Sequence, residues 1–171
     1  VGLLIALQEE GFGRWSVDAP GPGGEEDPSR SSHRSEETGD HFLVEDCLYG
    51  GTVSLLDDLA ELGIFSTSID SGDPVSWEGE LKPNTRLIYV ESMTNPLLQV
   101  GDLEAVVAFA KARGLVSVID NTFLSPVNFC PLNLGFDIEL HSATKYLNGH
   151  SDIVAGCAVG SAERVEAITH K

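Results

Sequence analysis

The sequence predicts an α/β fold, a mostly parallel sheet with helices on both faces. Three observations carry that expectation. From Asp40 onward, short apolar runs alternate with stretches of helical periodicity. Leu115–Ile119 is apolar on nearly every position, as in a parallel strand covered on both faces. Leu103–Arg113 is a helix with a stop signal at each end, and a strand, helix, strand order implies a right-handed crossover.

The elements follow in order. His41–Glu45 is a short apolar strand, and Val53–Leu62 places Val53, Leu56, Leu59 and Ala60 at helical spacing before Gly63. Ile64–Ile69 reads as a second strand, Ser71–Lys82 as a polar connection, and Leu87–Val90 as a third strand ending in Glu91. Asp102 is a good N-cap for Leu103–Arg113, whose apolar stripe is Leu103, Val106, Val107 and Ala110. Lys111 and Arg113 suit the negative end of that helix, and Gly114 suits its left-handed cap. Ile138–Leu140 is a further strand, and Ala162–Lys171 reads as a helix with no Gly or Pro behind it.

Residues 1–38 differ in character. Val1–Gln8 has the pattern of a short helix, while Asp18–Asp40 is crowded with Gly, Pro, Ser and Glu and reads as flexible. The domain expectation is an irregular segment at 1–38 and a packed unit at 39–171. The start at Val1 and the uncapped last helix read as the cut ends of something longer.

Composition removes several function classes. The 171 residues are 42% hydrophobic, enough for a real core, and 27 acidic residues against 10 basic ones give a net charge of −17. Such a chain lacks the basic footprint of a nucleic-acid binder. Val1–Leu7, the apolar start, is too short to cross a bilayer, so no membrane partner is expected. Cys47, Cys130 and Cys157 are scattered without metal-ligand spacing and fit a reducing compartment. His141 and His150 have no metal partner at ligand spacing.

In open parallel sheets, ligands bind beyond the carboxyl ends of the strands. Those ends carry Glu91 to Asn95, Asp120-Asn121-Thr122 and Ser142-Ala143-Thr144-Lys145. An amine, an anion and nearby hydroxyls are what pyridoxal phosphate requires: a Schiff-base partner, a counter-charge for the pyridine nitrogen, and phosphate donors. On spacing alone the same residues also suit a capping Asp and a surface lysine.

Four ordered segments narrow the choice: Leu48-Tyr49-Gly50-Gly51-Thr52, Glu91-Ser92-Met93-Thr94-Asn95-Pro96, Ile119-Asp120-Asn121-Thr122-Phe123, and His141-Ser142-Ala143-Thr144-Lys145 continuing to Asp152. From about Gly39 to Lys171 the chain resembles the Cys/Met-metabolism family of pyridoxal-phosphate enzymes, which includes the cystathionine lyases and synthases and methionine γ-lyase. The resemblance implies part of the large domain of a type I, aspartate aminotransferase-like fold, without its C-terminal domain.

It also implies roles. Lys145 would carry the Schiff base and shuttle protons, Asp120 would pair with the pyridinium nitrogen, and Tyr49 would stack on the ring and serve as acid or base near the departing sulfur. Asn95 would contact the ring hydroxyl, Ser142 and Thr144 the phosphate, and Thr122 the ring's other side. The implied reaction is γ-elimination from a sulfur amino acid such as cystathionine through aldimine and carbanion intermediates. γ-Synthase, β-lyase and methionine γ-lyase activities are alternatives, and an inactive truncated chain is the alternative of another class. A small amino-acid substrate, a homo-oligomer (a tetramer built from dimers) and a cytoplasmic location, with an organelle left open, complete the expectation.

Departures accompany the likeness. Nothing in Val1–Asp40 matches the family's small-residue phosphate loop, and the arginine that holds the substrate carboxylate is not encoded in this chain. Met93, Cys130 and Phe136 each stand where the family more often has another residue.

Overall fold

The computed structural model describes residues 39–150 and 152–169. The expected helix at Val1–Gln8 and most of the Gly/Pro-rich stretch lie outside them. The described chain forms one six-stranded sheet: β1 (His41–Glu45), β2 (Phe65–Ile69), β3 (Thr85–Glu91), β4 (Val116–Asp120), β5 (Ile138–Ser142) and β6 (Gly156–Gly160), in spatial order β2-β1-β3-β4-β5-β6. The first five strands are parallel, and β6 closes the edge antiparallel to β5.

Side chains alternate across the sheet, so neighbouring strand residues enter different cores. Leu43, Ile88, Val90 and Ile119 pack with Val106, Val107 and Ala110 of α3 (Leu103–Arg113). Val44, Tyr89, Val116, Val118 and Leu140 form the second core, against which Leu56 of α1 (Gly50–Glu61) packs. Helices therefore cover both faces, as the fold class predicts. β4 is buried at all five positions because it lies between β3 and β5. β2 is an edge strand and exposes Phe65, Ser66 and Ser68.

The α3 boundaries match the expected ones for the expected reasons. The Asp102 carboxylate accepts from the Ala105 N–H at 3.0 Å. Gly114 takes the left-handed conformation at φ 66°, which a residue with a side chain rarely adopts.

Elsewhere the structure moves the start of one expected helix, adds elements the sequence did not show, and keeps the expected last helix. α1 starts at Gly50, three residues before its apolar stripe, with Tyr49 at the cap position. The polar connection Ser71–Lys82 contains a short helix, α2 (Trp77–Glu80), whose Trp77 is fully buried. Its indole Nε1 donates to the Asp70 carbonyl at 2.7 Å, and its ring meets Phe109 edge-on with centroids 5.4 Å apart. Single-turn helices α4 (Ser125–Asn128) and α5 (Pro131–Leu134) fill the path to β5. β6, with Gly at both ends of Gly156-Cys157-Ala158-Val159-Gly160, has no alternation to reveal it and exists through its pairing with β5. The last helix is α6 (Ala162–Thr169). No helix among the described residues is long and apolar enough to cross a membrane.

Candidate active site

Parallel pairing aligns the carboxyl ends of the strands on one rim. Glu91 pairs in register with Asp120, Val44 with Tyr89 just before Glu45, and Asp120 with Leu140 just before His141 and Ser142. Above this rim lies a cavity of about 500 Å³, within the usual range for a small-molecule site. Tyr49, Asn95, Asp120, Thr122, Ser142 and Lys145 line it. Six of the seven residues singled out in the sequence are thus brought together from four separate segments.

The seventh is not among them. The Thr144 hydroxyl accepts from the Ala155 N–H at 2.9 Å and donates to the Ala155 carbonyl at 3.3 Å. It braces the approach to β6 instead of lining the cavity. Glu91, Met93, Phe123, Tyr146 and Gly149 line the cavity without having been given a role in it. Phe123 and Tyr146 stand with ring centroids 6.4 Å apart on one side. Their sequence signal is position, directly after Thr122 and Lys145 inside two of the ordered segments.

Local hydrogen bonds hold the polar groups in place. The Asp120 carboxylate is nearly buried and accepts from the Thr122 N–H at 2.8 Å, which turns the chain sharply after β4. The Thr122 hydroxyl accepts from the Ser142 N–H at 2.7 Å and ties that turn to the end of β5. The Lys145 ammonium lies 4.4 Å from the centroid of the Tyr49 ring, a cation–π contact across the cavity. Asp120, at the end of β4, and Lys145, in the turn after β5, therefore line one space.

Glu91 is the charged residue that strand reading undervalued. It is 4% exposed. One carboxylate oxygen accepts from the Tyr49 N–H at 2.8 Å and the other from the Asn95 N–H at 3.2 Å. Burial pushes its pKa up from 4.5 to about 7, the two N–H groups oppose the rise, and Asp120 and Glu45 add to it. Burial likewise raises Glu45, which accepts from the Ser71 hydroxyl and, at 2.8 Å, from the Glu91 N–H.

His141 is buried and bonds Glu139 at 2.8 Å, and His150 is exposed. Among the described residues no cluster of His, Cys, Asp and Glu is arranged to hold a metal.

The donor set fits pyridoxal phosphate. It provides one primary amine, two buried carboxylates at the strand ends, Asp120 and Glu91, an aromatic face, an amide and two hydroxyl residues around a space of suitable size.

Comparison with known proteins agrees. The family described as Cys/Met metabolism PLP-dependent enzyme matches residues 32–171. Cystathionine gamma-lyase of Bacillus subtilis (strain 168) is 44% identical over 134 residues, covering 78% of this chain and 35% of its own. A probable cystathionine gamma-synthase of Herpetosiphon aurantiacus is 44% identical over 126 residues, covering 73% of this chain and 40% of its own. The crystal structure of cystathionine gamma-lyase from Lactobacillus plantarum, complexed with L-serine, superposes with a TM-score of 0.74 at 44% identity, over 77% of this chain and 35% of that one. The chain thus spans little more than a third of the length of these relatives. With its parallel sheet, its cavity at the strand ends and this match, the chain belongs to the Cys/Met-metabolism family of pyridoxal-phosphate-dependent enzymes.

Proposed function

We propose that the chain is part of an enzyme that breaks the bond between sulfur and the γ-carbon of an amino acid such as cystathionine. The observation that carries this reading is the Lys145 ammonium over the Tyr49 ring, in a cavity that Asp120 also lines. Bound pyridoxal phosphate would supply an electron sink for a carbanion on the substrate. Lys145 Nζ would hold the cofactor covalently and then carry protons between substrate carbons. The Asp120 carboxylate would keep a proton on the pyridine nitrogen, its own orientation set by the Thr122 N–H. The Ser142 hydroxyl would bind phosphate, with Thr122 against the ring and the Asn95 amide on its hydroxyl. The Tyr49 hydroxyl would protonate the sulfur as it departs, and the Tyr49 ring, packed on the second core, would keep the cofactor from tilting.

Synthase activity is the second reading, favoured by the equal identity to the γ-synthase relative. For the whole protein the reading extends to a cytoplasmic homo-oligomer.

The test is reduction with borohydride after incubation with pyridoxal phosphate, followed by peptide mass spectrometry. The expected result is a pyridoxyl group on Lys145, absent in Lys145→Ala. Labelling spread over several lysines overturns the reading. Release of cysteine and a 2-oxoacid from cystathionine separates a working lyase from an inactive chain.

A further inference from the structure

The two side walls of the cavity come from distant parts of the chain, yet one buried group holds both. Tyr49 opens α1, a helix whose cap position makes no side-chain capping bond. Asn95 follows β3 in the turn before Pro96. Their backbone N–H groups converge on opposite oxygens of the Glu91 carboxylate, at 2.8 and 3.2 Å. Behind it, the Glu91 N–H is held by Glu45, and Glu45 in turn by the Ser71 hydroxyl. A continuous row of hydrogen bonds therefore runs from the end of β2, across β1 and β3, to both walls.

We propose that Glu91 is a positioning residue whose ionised carboxylate sets the Tyr49 ring and the Asn95 amide as one unit. The geometry needs a group with two acceptor oxygens. A glutamine keeps one acceptor and turns an N–H toward an N–H, so one wall must come loose. Protonation acts in the same direction, because a neutral carboxyl gives up one acceptor site to its own O–H. The groups facing Glu91 are Glu45 from β1, Asp120 from β4, Tyr49 from the start of α1 and Lys145 across the cavity, with Tyr89 on its own strand. Burial and the two neighbouring carboxylates place its titration at about 7.

The consequence for catalysis rests on the proposed cofactor reading; the clamp itself does not, so the two are tested apart. The first measurement is the pH titration of backbone amides in the full 171-residue chain without cofactor, by NMR. The Tyr49 and Asn95 amides and the Glu91 side-chain carboxyl carbon are expected to move together with one midpoint, and the parent alone suffices for this. In Glu91→Gln the two amides are expected to lose that step. Separate midpoints for the two amides, or the same step in Glu91→Gln, overturn the proposal. The second measurement is equilibrium dialysis with pyridoxal phosphate at mildly alkaline pH. Glu91→Gln is expected to bind about tenfold more weakly than the parent, the scale of one lost hydrogen bond to a charged group. Equal affinity in a parent that binds the cofactor overturns the clamp's consequence for the site. A parent that binds no cofactor overturns the functional reading instead, and the amide titration still decides the clamp.

Discussion

Trp77→Ala tests which of two neighbouring contacts holds α2 to α3. The indole is fully buried, donates to the Asp70 carbonyl and meets Phe109 edge-on. Removing a buried aromatic side chain to Ala costs about 3–5 kcal/mol, and the Asp70 carbonyl keeps the Asp73 N–H as a partner at 3.1 Å, so the loss is mainly one of packing. Beside it, Arg113 lies 5.4 Å from the Phe109 ring and pairs with Glu78, but these side chains are 40% and 60% exposed. Solvent screening leaves an exposed pair less than about 1 kcal/mol. The expected order is therefore a loss of about 4 kcal/mol for Trp77→Ala, about half as much for Trp77→Phe, and under about 1 kcal/mol for Arg113→Ala. Urea unfolding followed by circular dichroism reads all three. Since a domain holds only about 5–15 kcal/mol in total, Trp77→Ala should be visibly marginal. Equal losses for Trp77→Ala and Arg113→Ala would refute the argument that burial outweighs the ion pair.

Three further predictions follow from close contacts and charge. Gly101→Ala should cost about 2 kcal/mol, because a Cβ there would lie 2.2 Å from the Ser71 hydroxyl oxygen and 2.6 Å from its Cβ; thermal unfolding measures it, and a neutral result would mean that Ser71 moves freely. Asp102→Ala should remove about 1 kcal/mol with the lost cap on α3, read by the same urea curves, with Asp102→Asn restoring most of it. The third is a pH effect: Glu91, raised to about 7, and Glu45, also raised, keep protons that the unfolded chain releases near 4.5. Stability should therefore fall as pH rises through that window and level off above it, by about 3 kcal/mol for Glu91. His41, lowered by burial and then by Lys82, adds the opposite trend: its contribution is present above 6.5 and is lost on acidification. Urea curves at several pH values should show a smaller fall in Glu91→Gln than in the parent, and parallel curves would sink the assignment.

The sequence alone determined the parts whose cause is local. Alternating apolar runs mark β1, β3 and β4, and Asp102 with Gly114 delimits α3, because caps and periodicity act within a few residues. Asn95, Asp120, Thr122, Ser142 and Lys145 could be placed side by side for a related reason, since strand ends in a parallel sheet share one rim, whereas Tyr49 came only from the family resemblance. What only the tertiary structure decided depends on partners far away in sequence. Trp77 is buried because Phe109 waits on another helix, and β6 exists because β5 offers it an edge. Thr144 faces Ala155 instead of the cavity, since its hydroxyl meets that backbone first. Glu91 looked like the polar end of a strand until two N–H groups, one of them 42 residues away, arrived at its carboxylate. Hydrogen bonds of this kind carry no periodic trace, because chain folding alone brings donor and acceptor within reach.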